Sequence, residues 1–71
     1  EKGYYDAAIF HYRRLVADGQ MLEELVDDVR GFVADVQDQS VLQQMYRLLG
    51  DTYIKLKRYP QAMVAYKGQL S

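Results

Sequence analysis

Cysteine is absent from the 71 residues, so no disulfide can support the fold and the cysteine count says nothing of the compartment. Histidine occurs once, at His11, with no carboxylate one helical turn further along, which leaves a histidine-based metal cluster without a ligand set. Between Phe10 and Tyr12 it reads as a packed or surface residue rather than a catalytic base. No run of 18 or more apolar residues occurs, which excludes a transmembrane span within these residues. P-loop, dinucleotide-binding and zinc-protease patterns are missing as well, and Ser40 and Ser71 stand in no nucleophile motif. The net charge of −1 provides no global field to draw nucleic acid or anionic lipid. The paired acids Glu23-Glu24 and Asp27-Asp28 read as a solvated helix exterior rather than a cation site. These absences lead us to expect a non-enzymatic chain without cofactor or metal, with no nucleic acid as partner and no insertion into a membrane.

What is present is helical periodicity. Tyr5, Ala8, Ile9, Tyr12, Leu15 and Val16 recur at spacings of three and four, and Gly19 supplies a stop. Leu22, Val26, Val29, Val33 and Val36 form a second stripe, widened by Met21, Leu25 and Phe32. A third runs through Val41, Leu42, Met45, Leu48, Leu49, Tyr53 and Leu56, with Ser40 as the expected N-cap. The fourth starts near the single proline, Pro60, at a position where its missing amide hydrogen costs nothing, and carries Ala62, Met63, Tyr66 and Leu70. The links between these segments are a few residues long, so consecutive helices should run antiparallel as hairpins. Seventy-one residues make one small domain, 1–71, which buries only about 60% of its unfolded surface. It begins at Glu1 without a methionine, so a piece of a longer protein is expected. Its compartment is not assigned, and a soluble, cytoplasmic setting is only the default.

Charge is unevenly placed. Glu23, Glu24, Asp27, Asp28, Asp35 and Asp38 face the single base Arg30 in the second segment, whereas Arg47, Lys55, Lys57 and Arg58 outnumber Asp51 in the third and fourth. Solvated faces with some mutual attraction account for this, and a binding surface of one sign is the alternative.

Gly50 lies in the middle of Tyr46-Arg47-Leu48-Leu49-Gly50-Asp51-Thr52-Tyr53-Ile54, where glycine costs a helix about 1 kcal/mol against alanine. A close neighbouring helix would explain it, and Ala62 on the following segment is the small residue that would meet it. Gly50→Leu is therefore expected to cost far more stability than Arg13→Leu. Shifting the chain by 37 residues lays Ile9 on Tyr46, Tyr12 on Leu49, Val16 on Tyr53, Leu25 on Ala62 and Val29 on Tyr66, which marks an internal repeat. Arg13 then falls on Gly50 and bulky Leu25 on Ala62, so the first hairpin should be the looser one.

The pattern Tyr46-x2-Leu49-Gly50-x2-Tyr53 followed by Ala62-x3-Tyr66 resembles the tetratricopeptide repeat, a helix-turn-helix unit of about 34 residues. The resemblance implies an all-α fragment of a right-handed solenoid with about four helices: a degenerate hairpin over 4–37 and a better-matched one over 40–70. In a competing register, Gly3, Tyr5, Ala8 and Tyr12 form the second helix of an earlier repeat and the second segment is orphaned. Lys57 stands where the family usually has glycine at the turn. The resemblance further implies a protein-interaction scaffold whose groove takes a peptide or partner helix, with Phe10, Arg14, Arg47, Asp51 and Lys55 on the binding side. Without any asparagine the chain lacks the family's clamp for a C-terminal carboxylate. Arg47 with Asp51, and Asp51 with Lys55, are also i, i+4 pairs worth about 0.2–0.5 kcal/mol each to the helix alone.

Two other functions stay open: a helix-turn-helix regulator that reads DNA through Lys55, Lys57, Arg58 and Lys67, and a helical accessory region of an enzyme whose chemistry lies elsewhere. Repeats bury a continuous core only by stacking, and here there are two units with apolar residues at both ends. Tyr4 is the best candidate for an exposed aromatic. Self-association is therefore expected of the isolated chain, as a two-fold homodimer that pairs open ends or exchanges a hairpin.

Overall fold

The computed structural model describes residues 2–70, which form four α-helices with no strand among the described residues. They are α1 (Lys2–Asp18), α2 (Leu22–Asp35), α3 (Gln39–Lys55) and α4 (Tyr59–Tyr66), joined by links of three residues. The architecture is thus all-α.

Backbone chemistry at the helix ends sets these boundaries. α1 stops where Gly19 enters the left-handed region at φ 69°, with its amide bonded to the Val16 carbonyl and that of Gln20 to Leu15. Those two bonds satisfy carbonyls that the helix leaves over. The same pair of bonds closes α3 at Lys57, φ 62°, and α4 at Gly68, φ 78°. Lys57 does so with a side chain, at a cost of about 1 kcal/mol. Two expected boundaries shift. Asp38, not Ser40, caps α3: its carboxylate accepts from the amides of Ser40 and Val41, while Ser40 already lies inside the helix. The carboxylate two residues earlier takes the amides of the first turn in place of the serine hydroxyl. Leu70 lies beyond α4, because the turn at Gly68 ends the helix first.

α3 is the centre of the molecule and packs against the other three helices, whereas the backbone of α4 approaches α3 alone. The core collects Ile9 and Val16 from α1, Leu25, Val26, Val29 and Val33 from α2, and Val41, Met45, Leu48, Leu49 and Tyr53 from α3. α4 adds Ala62 and Ala65, so the shortest side chains stand where two helices meet most closely. Ala65 is a core residue that the spacing Ala62, Met63, Tyr66 overlooks, and Met63 is instead 62% exposed. Gly50 is buried as expected, but what a side chain there would meet is the ring of Tyr66, whose atoms would lie 2.5–2.8 Å from an added Cβ. The atoms nearest to that added Cβ thus belong to the Tyr66 ring, which the expected glycine-to-alanine approach did not include.

α1 and α2 pack less extensively against each other than the other packed pairs do. Phe32 sits between them as a wedge, with ring centroids of Tyr4, Tyr5 and Tyr12 at 6.1, 6.2 and 5.9 Å, tilted or edge-on. Such tilted aromatic contacts fill the space that small residues would have closed.

Candidate functional site

The site is organised by α3. Gln39, Gln43, Arg47 and Asp51 recur every four residues and so share one face of that helix. On the side of α4, a hollow of about 920 Å³ opens between this line, Leu42 and Tyr46, and the end of α4 at Tyr66, Lys67 and Gly68. On the side of α1, a second hollow of about 420 Å³ lies between Arg13, Val16 and Ala17 of α1 and Gln44 and Leu48 of α3. Arg47 and Asp51 line both hollows and form the ridge between them.

Asp51 does not pair with Arg47 or Lys55. It accepts the hydroxyl of Tyr66 at 2.5 Å, which anchors the tip of the tyrosine across Gly50. Burial, the hydrogen bond to Asp51 and the carboxylate's negative charge together push the Tyr66 hydroxyl up to about 12, against a smaller opposing pull from Arg47. At neutral pH it is therefore a proton-bearing donor rather than a base. The glutamine amides both donate and accept, and Arg13, Arg47 and Lys67 bring positive charge to the rims. Such a lining suits a ligand with many amides and some carboxylates. Among the described residues no three His, Cys, Asp or Glu side chains gather as a metal site would require.

Of the residues expected on the binding side, the structure brings Arg47 and Asp51 together at the hollows. Phe10, Arg14 and Lys55 are exposed but line neither. Phe10 and Arg14 fall on the α1 face next to Arg13, three residues before and one after it. Gln39, Gln43 and Gln44 were not singled out by sequence reasoning, Arg13 was named only as the counterpart of Gly50, and Lys67 only for the DNA-reading alternative. The four-residue ladder through Gln39 and Gln43 is visible in the sequence, whereas Lys67 joins the site only through the turn that ends α4. The cations of the DNA-reading alternative are scattered: Lys55 ends α3, Lys57 forms the turn, Lys67 follows α4, and Arg58 is ion-paired at 2.6 Å to Glu23. That pair is exposed and worth little by itself, about 0–1 kcal/mol, but it ties the acidic second helix to the basic second hairpin. Arg30 similarly donates to the hydroxyl of buried Tyr53 at 3.3 Å.

No family model, curated protein or solved structure matches the chain. No helix of the described residues is long and apolar enough to cross a membrane.

Proposed function

We propose that this chain is a non-enzymatic interaction module, similar to a pair of tetratricopeptide hairpins, that holds an extended acidic peptide across the Arg47–Asp51 ridge. The observation that carries the reading is the pair of hollows on either side of α3, which share Arg47 and Asp51. A peptide crossing the ridge would meet amide side chains for its backbone and Arg13, Arg47 and Lys67 for its carboxylates. Charge-assisted bonds of this type are about twice as strong as neutral ones. Selection from a random peptide display library, followed by amide chemical-shift mapping of the best binder, tests the idea. The expected result is an acidic consensus, shifts centred on residues 13, 44, 47 and 51, and loss of binding in Arg13→Glu/Arg47→Glu with Arg14→Glu still competent. Selection without a consensus, or shifts on α2, would remove the proposal.

A further inference from the structure

The chain is electrically divided along its length. Residues 1–38 carry nine acids against four bases, and residues 39–71 carry one acid, Asp51, against five bases. A net charge of −1 conceals a surplus of five negative charges in the first hairpin and four positive charges in the second. In space, α3 stands between α4 and the backbones of α1 and α2.

Each pole has a hollow with aromatic residues in its lining. Between α1 and α2, Tyr12, Gly31 and Phe32 line a recess of about 370 Å³ whose rim is Asp28 and Asp35, both exposed. Between α3 and α4, Leu42, Tyr46 and Tyr66 line the hollow of about 920 Å³, whose cations are Arg47 and Lys67. Within one chain the two poles already meet once, through Glu23 and Arg58. Two-fold pairing through a single one of these faces would press it against its like, basic on basic or acidic on acidic, and like charges juxtaposed at an interface are strongly unfavourable. One contact that joins unlike faces is head to tail; it leaves a face of each kind free and continues from copy to copy until a ring closes or the chain of copies stays open.

We propose that the occupant of the α3–α4 face is the α1–α2 hairpin of a second copy of this chain, docked head to tail with Asp28 and Asp35 near Arg47 and Lys67. This arrangement differs from the two-fold homodimer expected from the open ends, and it uses the hollow that the acidic peptide of the preceding proposal would cross, so the two occupants exclude each other. Both faces serve in each copy, so the assembly grows beyond a dimer with concentration and weakens as salt screens the poles.

Sedimentation velocity of the full chain over a hundredfold concentration range, in about 20 mM and about 500 mM salt, provides the first test. Mass that rises past the dimer, with association weakened about tenfold or more at high salt, is the expected result. A monomer throughout, a plateau at the dimer, or salt-independent association would overturn the proposal. Two variants then fix the polarity: Arg47→Glu/Lys67→Glu disables the basic face and Asp28→Lys/Asp35→Lys the acidic one. Each alone should be monomeric, and an equimolar mixture should associate again, since each unaltered face finds its partner on the other variant and the two reversed faces are complementary as well. Homodimers of either variant alone, or a mixture that stays monomeric, would refute head-to-tail docking. Circular dichroism establishes that the variants are folded; if one is not, the neutral versions Asp28→Asn/Asp35→Asn and Arg47→Gln/Lys67→Gln should weaken wild-type association in the same order of salt dependence, and an unchanged association would overturn the proposal.

Discussion

Gly50 and Tyr66 show how a single residue type is set by one neighbour. An added Cβ at Gly50 would press on the Tyr66 ring at 2.5 Å, so Gly50→Ala forces the ring outward and breaks its bond to Asp51. Overpacking of this type costs about 1–3 kcal/mol, against which alanine regains about 1 kcal/mol of helix propensity. Gly50→Ala should therefore be neutral to destabilising by about 2 kcal/mol in the wild-type chain, yet stabilising by up to about 1 kcal/mol in a Tyr66→Ala background. Chemical denaturation of the four proteins of this cycle checks it, and a Gly50→Ala effect of the same sign in both backgrounds would contradict the contact. Arg13→Leu, at an exposed position of α1, should change little by comparison. Tyr66 has a second consequence. Its folded-state value of about 12 lies above the ordinary value of 10.0, so the protonated form is the one that folding favours. The stability it contributes is complete below pH 10 and is lost as pH rises through 12, because the unfolded chain releases the proton first. Thermal melts between pH 9 and 12 should fall more steeply for the wild type than for Tyr66→Phe. Tyr12, raised by burial and by Asp28, adds to the slope in both proteins.

At the scale of the element, helix termini account for where the four segments begin and end. Asp38 bonds to the amides of Ser40 and Val41 from the N-cap position of α3, and replacing such a cap typically costs about 1 kcal/mol, with a range of 0.5–2. Asp38→Ala should lower the melting temperature by several degrees, since about 1 kcal/mol corresponds to roughly 4–8 °C in a domain this small. Ser40→Ala should leave it nearly unchanged, and a larger loss there than at Asp38 would reverse the assignment. The periodic apolar spacing made all four helices legible beforehand. Capping was less legible because Asp38 and Ser40 are both good caps, and the choice between them depends on a turn of backbone that periodicity does not encode. Lys57 takes the left-handed position at φ 62°, which apolar periodicity alone does not mark.

For the whole molecule, the arrangement around α3 determines which parts open first. α4 is eight residues long, packs on one helix and buries two alanines, whereas α3 is enclosed by three neighbours. Regions with few buried apolar contacts open at lower free energy than the global transition. Hydrogen exchange should therefore find the amides of α4 exchanging by local opening while those of α3 near Met45 to Leu49 require global unfolding. Equal protection in the two helices would mean that the hairpin opens only with the entire fold.

The sequence by itself determined the number and approximate placement of the helices, because apolar residues at spacings of three and four select a buried face whatever lies opposite. It also determined that Gly50 needs a close neighbour, since no helix gains from glycine at its middle. What only the tertiary structure decided is which atoms meet. The ring over Gly50 comes from Tyr66 because α4 turns Ala62 and Ala65 toward α3 and leaves Tyr66 at the edge. The hollows come to share Arg47 and Asp51 while leaving out Phe10, Arg14 and Lys55, because the placement of α1 and α4 on either side of α3 selects one line of its surface. Spacing along a chain specifies a face of one helix, and only the packing of a second helix decides which part of that face is covered.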